Sequence, residues 1–118
     1  MCGIRALKRR DALLLVLAAA ASPAHAAPPA HAMQEVAAGI WVRQGVHEEA
    51  TVANQDGIAN IGFIIGRESV AVMDPGGSLV DGQRLRTALR ARTDLPIRWV
   101  VMTHLHPDHV FGAEAFAD

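Results

Sequence analysis

The chain has 118 residues, 51% of them hydrophobic and 19% charged, with a formal charge of −1 and a single cysteine. A length of this order holds one small domain at most. One cysteine excludes an intrachain disulfide, and the lack of a basic patch interleaved with aromatics argues against nucleic acid as a partner.

Residues 1–26 are expected to be a signal peptide. Arg5, Lys8, Arg9 and Arg10 make a positive start, Ala12 to Ala21 is an apolar stretch of ten residues, and Ala24-His25-Ala26 is a small-x-small cleavage pattern. Ten apolar residues are too few to span a bilayer, which needs about 20. The Arg9-Arg10 pair loosely fits a twin-arginine signal and equally an ordinary export signal. Either route leads to the periplasm or the medium, with no stable membrane anchor once the chain is cut after Ala26. Removing 26 of 118 residues leaves 92, with seven arginines, no lysine and eleven acidic side chains, hence a formal charge of −4. Cys2 leaves with the signal.

Residues 27–38 open with Ala-Pro-Pro-Ala-His-Ala, which has two prolines and no periodicity, so a flexible lead-in with a solvated His31 is expected. Structure should begin near Gly39. Ile40 to Gly45 has strand composition, and His47-Glu48-Glu49 follows in a polar stretch that reads as a solvated loop, with a place on a substrate rim as the alternative. Ile58 to Gly66 reads as a second strand, in which Asn60 needs hydrogen-bond partners if buried. Arg67-Glu68 turns tightly into a third, Ser69 to Asp74, so these two runs should form a hairpin. Asp74-Pro75-Gly76-Gly77 ends that strand as a turn. Leu79 to Arg92 is the clearest helix: Leu85, Ala88 and Leu89 share an apolar stripe, Arg86 and Arg90 lie opposite as a solvated face, and Arg92 can reach the last carbonyls. Asp94-Leu95-Pro96 breaks it. Ile97 to Met102 then reads as a buried strand, and a second helix should start around Gly112. A helix between strands indicates a mixed α/β sheet with functional groups at strand ends.

The strongest chemical signal follows that last strand. His104, His106, Asp108 and His109 fall within six positions. In extended backbone His104 and His106 project to one side, and Pro107 keeps His106 extended. The turn after Pro107 brings Asp108 and His109 back from another direction. Two imidazoles on one side and a carboxylate with an imidazole on the other make two half-sites for metal ions. Such ligands suit zinc, with iron and manganese as alternatives.

His104-x-His106-x-Asp108-His109 after a strand resembles the signature of the metallo-β-lactamase-fold hydrolase superfamily. The resemblance implies that His104 and His106 bind a first zinc and Asp108 and His109 a second, and that Asp74 supports the metal loop from below by hydrogen bonds. More narrowly, the run from Gly39 to Phe116 resembles the exported branch described as quinoprotein relay system zinc metallohydrolases. The implied fold is an αββα sandwich about twice as long, with residues 39–118 corresponding to its N-terminal half. The further ligands of that family, a histidine, a bridging aspartate and another histidine, have no counterpart after His109. A fragmentary product with an incomplete sheet and marginal stability is therefore expected.

The implied activity is exported, zinc-dependent hydrolysis of a small lactam, thioester or ester, with Asp108 orienting the attacking water as well as binding metal. A non-catalytic periplasmic metal-binding or accessory protein of a quinoprotein system is the alternative, and an inactive fragment the third. Nuclease chemistry is disfavoured by the acidic mature charge.

Overall fold

A computed structural model describes residues 26–117; the expected signal peptide lies almost entirely outside them. Five strands form one mixed sheet in the order β1 (Gln34–Ala37), β2 (Ile40–Arg43), β3 (Ile61–Ile65), β4 (Val70–Met73) and β5 (Ile97–Val101). The first four pair antiparallel, and β5 adds to β4 in parallel after a crossover through helix α1 (Leu79–Arg90). Such a parallel pair needs a crossover of this kind, because no tight turn can reverse the chain twice. A short helix α2 (Pro107–Val110) and a 3-10 turn (Ala113–Phe116) follow. The α/β class and mixed sheet are those expected. No helix among the described residues is long and apolar enough to cross a membrane.

Strand register decides which side chains form the core. Trp41, Phe63, Val72 and Val100 stand opposite one another across β2 to β5 and therefore share a face. On that face Phe63 and Val72 pack with Leu85, Ala88 and Leu89, the apolar stripe of α1, which is wholly buried. The other face carries Ile40, Ile64, Ala71 and Trp99. It stays largely open, with Ile64 38% and Trp99 65% exposed.

Helix α1 has local reasons to start and stop where it does. Ser78 is its N-cap, in extended backbone, and its hydroxyl accepts from the Asp81 amide at 3.1 Å. Gly82 sits in the second turn because the chain after α2 presses against it. A Cβ there would stand 2.4 Å from the Gly112 carbonyl oxygen. At the other end, Arg92 donates to the Ala88 carbonyl at 2.6 Å, as expected, and stacks over Trp41 at 4.1 Å.

Several expectations change. The sheet begins at Gln34, inside the segment read as a flexible lead-in, because β1 finds a partner edge on β2. His31 is not solvated: its Nε2 lies 2.7 Å from Asp81 Oδ1, with its side chain only 14% exposed. Nor are the α1 arginines merely solvated. Arg86 donates to the Ala115 carbonyl and Arg90 to the Leu95 carbonyl, both at 2.7 Å, tying the helix to the chain on either side. Strand β5 was expected to be buried, yet it is a half-exposed edge, since β4 pairs with one side only and the open face carries Trp99 and Val101. Helical structure resumes at Pro107, five residues before Gly112, because proline suits the first position of a helix.

Candidate metal centre and its support

Because β4 and β5 run parallel, their carboxyl ends lie side by side. Asp74 leaves the end of β4 and the histidine loop leaves the end of β5, and the Asp74 amide continues the ladder by donating to the Val101 carbonyl at 2.8 Å. Asp74 then adopts a left-handed backbone, φ 51°, which Asp tolerates better than most residues, and Gly76 follows at φ 108°. This sharp turn aims the Asp74 carboxylate at the loop.

Asp74 is buried, its side chain 8% exposed, and its carboxylate is fully employed. Oδ1 accepts from the Thr103 amide at 2.7 Å and Oδ2 from the Thr103 hydroxyl at 2.8 Å. His109 Nδ1 lies 2.9 Å from Oδ2, close enough for an ion pair though poorly aligned for a hydrogen bond. Burial alone would push the Asp74 carboxyl up. The Thr103 amide, His109 and the Thr103 hydroxyl outweigh it, and the result lies below the ordinary carboxylate value.

Three imidazoles gather above this support. The His104 and His106 ring centroids are 4.7 Å apart, and those of His104 and His109 are 3.9 Å apart. His106 keeps extended backbone, φ −65° and ψ 141°, as its place before Pro107 dictates, and caps α2. Asp108 Oδ2 lies 3.4 Å from His109 Nε2. Two ligands on a tetrahedral zinc stand roughly 3.4 Å apart, given Zn–N and Zn–O bonds of about 2.0–2.2 Å. The Asp108 and His109 pair therefore has the spacing of two ligands on one ion, with Asp74 behind the imidazole as its outer carboxylate. The set is not a closed centre: among the described residues, no three His, Cys, Asp or Glu side chains converge as a metal ion would require. The donors are instead turned to one another, His104 Nδ1 contacting the Thr103 hydroxyl at 3.0 Å and both nitrogens of His109 facing carboxylates.

Beside Asp108 lies a cleft of about 560 Å³ whose wall includes Val46, His47, Glu48, Glu49 and Ile58. The polar stretch expected as a solvated loop thus also borders the site. Asn60, the polar residue within the second run, accepts from the Gly45 amide at 2.9 Å and so holds this stretch against β3. A larger groove of about 660 Å³ along α1 shares no residue with the histidine loop.

Beneath the turn is a buried polar cluster that spacing along the chain does not announce. Arg43 forks onto Asp81, Nη2 lying 2.8 Å from each carboxylate oxygen, and donates from Nη1 to the Gly57 carbonyl at 2.6 Å. Asp81 also takes His31 and the Gly77 amide, the latter at 3.2 Å. Burial pushes the Asp81 carboxyl up, but His31, Arg43 and Gly77 together hold it below the ordinary range. Asp56 goes the other way, raised by burial and then by the charges of Asp108 and Asp81.

Residues 54–118 match the metallo-beta-lactamase superfamily. The chain is also 37% identical over 49 residues to a linear primary-alkylsulfatase of Pseudomonas sp. (strain ATCC 19151), a stretch that covers 42% of this chain and 9% of that protein. It therefore spans less than a tenth of that relative's length. With more than half of its residues inside the family match, and with the histidine loop and its supporting aspartate at adjoining strand ends, the chain belongs to the metallo-beta-lactamase superfamily.

Proposed function

We propose that the chain supplies the first metal ligands of an exported zinc-dependent hydrolase acting on a small molecule. The observation that carries this reading is the gathering of His104, His106 and His109 over Asp74 at the joined ends of β4 and β5. His104 and His106 would hold one ion, Asp108 and His109 a second, with iron or manganese as alternatives to zinc. Bound zinc lowers the pKa of its water to about 7 and polarises the bond to be cleaved.

The chain's own residues do the rest. Asp74 fixes the ring of His109 and, through Thr103, the start of the loop. Asp108 both binds and orients the attacking water at the mouth of the cleft. His47, Glu48 and Glu49 border the space where a substrate would lie. Lactams, thioesters and esters are the substrate classes, and the alkylsulfatase relative adds alkyl sulfates. Export rests on the charge and apolar pattern of residues 1–26, and the acidic remainder argues against nucleic acid as substrate.

A second reading is a non-catalytic metal-binding accessory protein, which would use the same histidine loop. Assay of the full chain with zinc on a lactam, a thioester, an aryl ester and an alkyl sulfate separates the two. Hydrolysis of one class, reduced at least a hundredfold in His106→Ala, is expected. Zinc uptake without turnover would favour the accessory role, and a rate unchanged by His106→Ala would sink the hydrolase.

A further inference from the structure

We infer that His31, acting through Asp81, is a positioning residue for the metal loop, so that the segment before β1 forms part of the site's scaffold. The inference rests on the metal reading above for its consequence, but its geometry is independent of any metal.

The contacts run without a gap. His31 is tied to the first half of α1 twice, by its ring to Asp81 at 2.7 Å and by its amide to the Arg84 carbonyl at 3.4 Å. Asp81 is 2% exposed and shares its oxygens among His31, Arg43 and the Gly77 amide. It also presses on the neighbouring turn: a Cβ on Gly76 would stand 2.5 Å from Asp81 Oδ2. Gly76 in turn accepts from the Gly112 amide at 2.8 Å, three residues beyond His109. The turn that Asp81 seats is the one that begins at Asp74, whose carboxylate holds Thr103 and His109. One carboxylate thus sets the turn beneath the loop and the chain that leaves it.

His31 decides how that carboxylate is shared. Arg43 Nη2 reaches both oxygens, and the imidazole shares Oδ1 with it. Removing the ring lets Asp81 settle toward Arg43 and away from Gly77. The turn then loosens at its Gly77 end, and Asp74 loses its fixed aim. A buried pair of this kind can also be purely structural, so the test must read the loop itself.

The experiment uses the full chain with His31→Ala, and with His31→Gln, which keeps a side-chain donor for Asp81. Two readouts are taken: the Thr103 amide and His109 ring resonances in metal-free protein, and zinc affinity by titration with zinc alone. His31→Ala is expected to move both resonances and to weaken zinc binding roughly three- to tenfold, less than the roughly ten- to hundredfold typical of a partner that touches a ligand directly. His31→Gln should recover most of both. Unmoved resonances with unchanged zinc affinity would overturn the inference, even if the variant unfolds more easily. Zinc uptake absent from the wild-type chain would overturn the metal reading instead, and the two resonances would still decide the role of His31.

Discussion

Asp74 is the residue whose loss should damage the chain most for its size. Asp74→Ala removes the acceptor of two Thr103 hydrogen bonds at 2.7 and 2.8 Å and the carboxylate facing His109. Hydrogen bonds to a charged partner contribute about 1.5–3 kcal/mol each. Part of this is offset by relief from burying a charged side chain that is only 8% exposed. Alanine at φ 51° adds a backbone penalty of roughly 1–2 kcal/mol. The net loss should be about 3–5 kcal/mol, a large share of the 5–15 kcal/mol typical of a domain. Asp74→Asn keeps an acceptor for the Thr103 amide and tolerates the left-handed backbone, so about 1–2 kcal/mol is expected for it. Urea unfolding followed by circular dichroism at neutral pH measures both. Alanine costing under about 1 kcal/mol, or asparagine as damaging as alanine, would refute the reasoning.

Three further outcomes follow from the same contacts. Asp74 and Asp81 both have folded pKa values held below the ordinary 3.8, so their contribution is present above that value and is lost as pH falls from it through their lower folded values. Urea midpoints should therefore drop steeply from about pH 5 to pH 3, and a flat profile there would contradict both networks. Gly82→Ala gains about 1 kcal/mol of helix propensity but drives a Cβ to 2.4 Å from the Gly112 oxygen. A net loss of about 1–3 kcal/mol is expected, and a more stable variant would show that the two segments do not touch. Leu85→Ala empties a wholly buried position under β3 and β4 and should cost about 2–5 kcal/mol by thermal or urea unfolding. A cost below about 1 kcal/mol would mean that α1 does not cover the sheet as described.

Local patterns carried most of the fold. The Arg67-Glu68 turn joins two apolar runs too closely for anything but a hairpin, and β3 and β4 pair there. The stripe of Leu85, Ala88 and Leu89 announced both the helix and its buried face. At the site, Pro107 accounted for the extended backbone of His106. The strand stops at Val101, however, and the chain bends over Thr103-His104-Leu105, so the His104 and His106 rings meet across a bend and not by the two-residue spacing of an extended strand. What stayed hidden depends on partners distant in the chain. Gln34-Glu35-Val36-Ala37 is a strand only because β2 offers an edge, and no alternation marks it. His31 and Asp81 are fifty residues apart, and Arg43 and Asp81 thirty-eight, so no spacing rule could join them. Arg86 and Arg90 looked like solvated charge because an arginine that caps a distant carbonyl has the same local pattern as one in water.

The parallel pairing of β4 with β5 also sets an order of events in folding. Strands β3 and β4 can zip together across the Arg67-Glu68 turn, whereas Val70 meets Ile97 only across the intervening helix. Contacts that close long loops come late, since the entropy of closure precedes any gain. Asp74 and the His104 loop sit at the ends of those two strands, so they come within reach only once the crossover has closed. An ion captured there would bind the finished domain and slow its unraveling, not template its early collapse.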